Sequence, residues 1–394
     1  MKQLILKRNE EKRLKIGHLW VFSNEVDTAR SPLKEFAPGE PARVVDSQGR
    51  FIAAAYVNPG SLICARVTGR KPSQVLGPDL IRERLGQALH LRETLFDAPF
   101  YRLCFAEADY LPGLIVDRHG DHLVVQLTTA GMEREKVAVM ESLRDLLDPA
   151  SILLKNDSPS RKLENLPEYV EPGLGTPPEE VEIEENGLRF LAPLAEGQKT
   201  GWFYDQRDNR RLIATMCRGK RVLDGFSYAG GFGVTAAACG AEAVTCLDAS
   251  KTALEYAERN AELNGTAGRV ETMRGDFFES LESLRQQDRK YDVIIVDPPA
   301  FMKSKKDIKK GEQAYLKANR EAMKLLGPDG LVLSCSCSQH MSTDNLRRTL
   351  LRAANQRKLQ SQILAQGHQA SDHPIHPAMP ETEYLKAYLL RLVK

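Results

Sequence analysis

Val222-Leu-Asp-Gly-Phe-Ser-Tyr-Ala-Gly-Gly-Phe-Gly233 is the stretch on which the fold turns. It reads as the end of a buried strand, an acid, a loop with paired glycines and the start of a helix. The same rhythm then repeats. Strand-like runs at Arg221–Asp224, Ala243–Asp248, Val270–Asp276, Tyr291–Asp297 and Gly330–Ser336 alternate with helical spacing. That alternation predicts an α/β domain over 181–394: a doubly wound, Rossmann-like parallel sheet with helices on both faces.

Ligands of such sheets sit at the carboxyl ends of the strands, where strand order reverses. Four runs in succession end in an acid, Asp224, Asp248, Asp276 and Asp297, and four in order are hard to explain as solvated caps. The loop after Asp224 carries Phe226, Ser227 and Tyr228, and Gly230 with Gly231 permits a tight turn and close backbone approach. Asp248, followed by Ala249, is suited to accept from two ribose hydroxyls. Asp276 faces the position of an adenine amino group, with Phe277 beside the ring. A nicotinamide-binding domain would want Gly-x-Gly-x-x-Gly to cradle a diphosphate. Here the first strand ends in an acid and the glycines do not fit that pattern, so a cationic sulfonium is the better match. The expected cofactor is S-adenosylmethionine, and the expected activity methyl transfer.

Asp297-Pro-Pro-Ala-Phe301 follows the fourth strand, and its prolines stiffen the loop and remove backbone donors. Such a loop suits a planar nitrogenous base, on which Phe301 would stack. Related loops also serve exocyclic-amine methylation, which needs no covalent step. The fifth strand ends Ser334-Cys-Ser-Cys-Ser-Gln-His340, with thiols at Cys335 and Cys337. Carbon 5 of a pyrimidine is a poor nucleophile, and a thiolate adding to carbon 6 activates it. Residues two apart share a strand face, so periodicity does not choose between the cysteines. Cys337 lies nearer the carboxyl rim and is preferred. The other five cysteines read as buried filler, and Gly367–Pro377, with His368, His373 and His376, as a pocket-rim loop rather than a metal site.

Upstream, residues 1–72 read as short strands forming a small β-barrel, 73–180 as a mixed α/β segment, and 171–180 as a linker or exposed loop. No apolar run approaches the roughly 20 residues of a membrane span, and no membrane partner is expected. Seven cysteines without a Cys-x-x-Cys pair argue against a disulfide framework or structural zinc and for a reducing cytoplasm. A formal net charge of +2 gives no global nucleic-acid signal. Two local basic stretches do, one with Lys7, Arg8, Lys12 and Arg13, the other with Lys303, Lys305 and Lys306.

Over essentially its full length the chain resembles the bacterial RlmI-type methyltransferases, which make 5-methylcytosine in large-subunit ribosomal RNA. The resemblance rests on Gly17-His-Leu-Trp-Val-Phe-Ser23, Leu111-Pro-Gly-Leu-Ile-Val-Asp-Arg118, Gln198-Lys-Thr-Gly-Trp-Phe-Tyr-Asp-Gln-Arg-Asp-Asn209, Phe226–Gly231, Asp297-Pro-Pro, Ser334-Cys-Ser-Cys-Ser338 and Asp372-His-Pro. It implies an N-terminal PUA domain, a central α/β domain and a C-terminal catalytic domain. It also implies that Lys199–Arg207, including Thr200 and Gln206, packs over the cofactor, and it supports Cys337 as nucleophile. Two positions depart from the family: Ala300 where lysine is common, and Gly225 where cysteine or proline is. The implied partner is ribosomal RNA of the large subunit, with a homodimer as a candidate assembly. The rival readings are an exocyclic-amine or uracil-C5 RNA methyltransferase, and a non-catalytic RNA-binding protein.

Overall fold

A computed structural model describes every residue except Ala195, Glu196, Gln198, Lys199 and Lys303. The chain divides into two compact units. The first comprises Met1–Val181, Pro193–Tyr204 and Ser371–Thr382; the second comprises Glu182–Ala192, Asp205–Ala370 and Glu383–Lys394.

The first unit holds two five-stranded sheets. Strands β1 (Lys2–Ile5), β2 (Trp20–Phe22), β3 (Glu40–Val45), β4 (Phe51–Val57) and β5 (Ile63–Gly69) take the order β1-β3-β4-β5-β2. An antiparallel bridge from Leu6 to Val26 curls this sheet toward closure. Its small, apolar β4 (Ala53, Ala54 and Ala55 fully buried) lets the sheet wrap tightly on the core of Leu4, Val21 and Val44. The second sheet contains β6 (Phe100–Phe105), β7 (Leu114–His119), β8 (His122–Leu127), β9 (Ser151–Asn156) and β10 (Tyr169–Leu174), in the order β10-β9-β8-β7-β6. Helices Pro78–Leu95 and Lys136–Leu147 contribute Ile81, Leu85, Val139 and Leu143 to its core. Glu171–Leu174, expected in a linker, is therefore strand, because β9 offers it a hydrogen-bonding edge.

After a hairpin of β11 (Glu180–Glu185) and β12 (Leu188–Pro193), the second unit forms a seven-stranded sheet. Its strands are β13 (Arg221–Gly225), β14 (Ala243–Asp248), β15 (Val270–Arg274), β16 (Tyr291–Val296), β17 (Leu326–Ser336), β18 (Gln360–His368) and β19 (Lys386–Val393). The order β15-β14-β13-β16-β17-β19-β18 is parallel through the first five and antiparallel at β19. Strand order reverses at β13, so the predicted doubly wound sheet is present with its switch point beside Asp224. Alternation in the apolar runs explains why helices cover both faces. Leu223, Ile294, Val296 and Val332 enter one core, and Val222, Val293, Ile295 and Leu333 enter the other.

Candidate active site

The carboxyl ends of β13, β14 and β16 carry the acids the sequence singled out. Asp224 is fully buried, and its Oδ2 accepts the Gly233 N–H at 2.8 Å. Its Oδ1 is buried with no hydrogen-bond partner among the described residues, as is Ser227 Oγ. Burial pushes the Asp224 carboxyl up to about 8; the Gly233 hydrogen bond opposes this, while Asp297 and Asp248 add to it. Asp248 accepts from Tyr228 N–H on Oδ2 and Ser250 N–H on Oδ1, both at 2.9 Å. The Asp224–Gly231 loop achieves this by sharp turns: Phe226, Tyr228 and Gly230 all take left-handed backbone. At Gly230, which precedes the helix Gly231–Ala238, a Cβ would also meet the Ala257 Cβ at 2.9 Å. The Phe226 and Phe277 rings stack with centroids 4.3 Å apart.

Asp276 is not a strand end. It lies two residues past β15 and caps the helix Phe277–Gln286, its Oδ1 accepting from Phe278 and Glu279 N–H. Its solvent exposure fits that capping role. Ala249 follows Asp248 at the end of β14, and its carbonyl accepts from the Arg274 guanidinium.

Asp297 follows β16 and is half-buried, and its Oδ2 accepts from Gln206 Nε2 at 2.9 Å. Asn209 Nδ2 donates to Gln206 Oε1 at 2.7 Å, which fixes the way that amide points. Asn209 carried no sequence signal of its own, and its role appears only once the helix Arg207–Ala214 is in register with Gln206. The two thiols separate clearly. Cys335 lies inside β17, fully buried in the apolar core with Ile295 and Leu389. Burial, then the Asp297 charge, pushes its thiol well above the ordinary range. Cys337 lies one residue beyond the strand, so the shared-face argument does not extend to it. It is partly exposed, and its Sγ is 4.0 Å from the Pro298 carbonyl oxygen. Asp224, Asp248, Asp297, Gln206 and Cys337 thus belong to one unit.

Other candidates fall elsewhere. Thr200 is in the first unit, where its buried hydroxyl donates to Asp117 and its carbonyl accepts from His119 Nε2–H at 3.1 Å. Burial lowers His119 to about 4, so the ring is neutral, and Nδ1 accepts from the Tyr204 hydroxyl at 2.8 Å. Lys199 and Lys303 lie outside the described residues. Phe301 is half-buried and packs on Tyr315 with centroids 4.8 Å apart. Arg13 is bound to Glu25 (2.7 Å) and to the Trp20 carbonyl, whereas Lys7, Arg8, Lys12, Lys305 and Lys306 are exposed. The run expected as a pocket-rim loop is largely packed in the first unit, where the Arg92 guanidinium binds the Asp372 carbonyl and Arg102 N–H binds its carboxylate. Of the five filler cysteines, Cys239 is exposed, because it follows the last turn of the helix Gly231–Ala238.

A family described as S-adenosylmethionine-dependent methyltransferase matches residues 163–391, and one described as PUA-like domain matches 4–70. The ribosomal RNA large subunit methyltransferase I of Erwinia tasmaniensis is 37% identical, over 99% of this chain and 99% of its own. That of Cronobacter sakazakii is 38% identical, over 98% of each. Among solved structures, SMU.776 complexed with SAH superposes with a TM-score of 0.86 at 22% identity, covering 99% of this chain and all of that one. At that identity the likeness speaks for the fold.

Proposed function

The chain belongs to the ribosomal RNA large subunit methyltransferase I family, and from that premise we propose that it methylates carbon 5 of a cytosine in large-subunit ribosomal RNA through a cysteine adduct. The observation that carries this reading is Cys337: a partly exposed thiol just past β17, directed at the loop that begins with Asp297.

The cofactor is S-adenosylmethionine. Two buried polar atoms without partners, Asp224 Oδ1 and Ser227 Oγ, sit among mutually repelling strand-end carboxylates, and that donor set fits a cationic ligand with N–H groups. Asp224, Ser227 and the Phe226–Gly231 loop would hold it, with Asp248 accepting from its ribose hydroxyls. Each Asp248 oxygen keeps a lone pair beyond its one backbone donor. When bound, the cofactor supplies an electrophilic methyl group.

The remaining work falls to the protein's own side chains. Cys337 Sγ adds to carbon 6 of the cytosine, and the ring's electron pair moves to make carbon 5 nucleophilic. Asp297, oriented by Gln206 and Asn209, binds the edge of the base. After carbon 5 is substituted, a base removes its proton, the freed carbon–hydrogen pair restores the ring's double bond, and sulfur departs with the pair of the bond it made to carbon 6. Exposed Lys7, Arg8, Lys12, Lys305 and Lys306 are assigned to RNA phosphates. We assign 1–72 to the PUA-like barrel, 73–180 to the central domain and 181–394 to the catalytic domain, except that Pro193–Tyr204 and Ser371–Thr382 pack within the first unit, with the protein acting in the cytoplasm.

Cys337→Ala should abolish methylation of ribosomal RNA while leaving cofactor affinity, measured by calorimetry, within a few-fold. Nucleoside analysis of the wild-type product should give 5-methylcytidine. An N4-methylated or uridine product would replace this reading with its rival.

A further inference from the structure

The final strand, Lys386-Ala-Tyr-Leu-Leu-Arg-Leu-Val393, is apolar apart from two residues, and the first of these is a lysine only 5% exposed. Antiparallel pairing sets Lys386 opposite Ser336, the last residue of β17 and the neighbour of Cys337. Its ammonium group donates to the main-chain carbonyls of Ser338 (2.8 Å) and Tyr384 (2.8 Å). Neither acceptor is a carboxylate, so two dipoles hold the group while its charge is left without an ion-pair partner among the described residues. Burying such a cation is costly, and a nearby anion relieves the cost. Burial pushes the lysine down to about 8, while Cys337 and Glu383 pull it back up.

Acidic and neutral groups among the described residues also act around the thiols. Asp297 and Asp205 act electrostatically on Cys335, Tyr315 feels Cys337, and Glu383 precedes Lys386 on its own segment. In acidic surroundings a thiol resists ionisation, and only the thiolate is a competent nucleophile. The Lys386 ammonium group, held on the Ser338 carbonyl one residue past Cys337, supplies a counter-charge.

We propose that Lys386 is a positioning residue whose ammonium group keeps Cys337 as the thiolate. This rests on the reading of Cys337 as nucleophile. The thiol proton is released to water, and sulfur retains the electron pair with which it bonds to carbon 6. When that bond later breaks, the pair returns to sulfur, and the same ammonium stabilises the departing thiolate.

The test is alkylation of Cys337 by iodoacetamide in the cofactor-free full chain, followed by mass spectrometry across pH. The wild-type midpoint should lie at least about one pH unit below the roughly 8.5 of an ordinary thiol. Lys386→Met should raise it by about one unit or more, and Lys386→Arg should restore it. A wild-type midpoint at or above the ordinary value overturns the proposal without recourse to any variant. So does a folded Lys386→Met protein with the wild-type midpoint. Methyl transfer by Cys337→Ala judges the nucleophile separately. If that variant is active while the midpoint still follows Lys386, the ion pair stands and the covalent reading falls.

Discussion

Replacing Asp224 with asparagine should stabilise the second unit at alkaline pH and leave it nearly unchanged in mild acid. The carboxyl is fully buried, and burial lifts it from 3.8 to about 8. Between those values the unfolded chain carries Asp224 ionised while the folded chain keeps the proton. The folded state then binds more protons, so stability falls as pH rises through this window. Each pH unit is worth about 1.4 kcal/mol, so raising the pH from about 5 to about 8 costs the wild type roughly 4 kcal/mol. Asparagine keeps an oxygen for the Gly233 N–H and does not titrate. Urea unfolding of both proteins across this range, followed by circular dichroism, should show the variant's advantage growing by about that amount. Saturating S-adenosylmethionine should flatten the trend, because a bound cation favours the carboxylate. A difference between the two proteins that stays constant with pH would refute the reasoning.

Cys335→Ala should retain methyl transfer, with a stability loss of about 1 kcal/mol in a melting experiment, since that thiol is a buried core group. Glu164→Ala should cost the first unit about 3–5 kcal/mol in chemical denaturation. It would leave the buried Arg66 with only the more distant Glu107 carboxylate (3.7 Å) and remove an acceptor shared with Asn58 (2.8 Å) and Ser61 (2.9 Å). Changing exposed Lys305 and Lys306 to glutamine should weaken RNA binding and reduce the slope of log affinity against log salt by about 1–2.

The catalytic sheet was legible because its signals are local. Strands β13, β14, β16 and the second half of β17 are largely apolar runs, and the acids at Asp224, Asp248 and Asp297 mark strand ends directly. Asp276 lies two residues past β15, where a helix cap has the same sequence appearance as a strand-end acid. The assignment of Pro193–Tyr204 and Ser371–Thr382 to the first unit was invisible for a different reason. It depends on contacts across long stretches of sequence, such as Asp117 with Thr200, and Arg92 with Asp372. Lys155 belongs to the same class: it is buried and donates to the carbonyls of Leu194 (2.9 Å) and Gly197, which no periodicity announces. Periodicity alone did not separate Cys335 from Cys337, because residues two apart share a face only while both lie in the strand, and β17 ends at Ser336. Lys386 did leave a trace, a cation opening a largely apolar strand, though its meaning needs the pairing with Ser336.

The central claim is a covalent bond between Cys337 and carbon 6 of the target base. Ribosomal RNA fragments carrying 5-fluorocytosine lack the carbon 5 proton whose removal precedes expulsion of the sulfur, so the adduct should persist. With cofactor present, the wild-type protein should form a denaturation-resistant complex with that RNA, and peptide mapping should locate it at Cys337. The Cys337→Ala protein should form none. Full methylation of ordinary RNA with no trapped complex, or a complex mapped to another residue, would contradict the account.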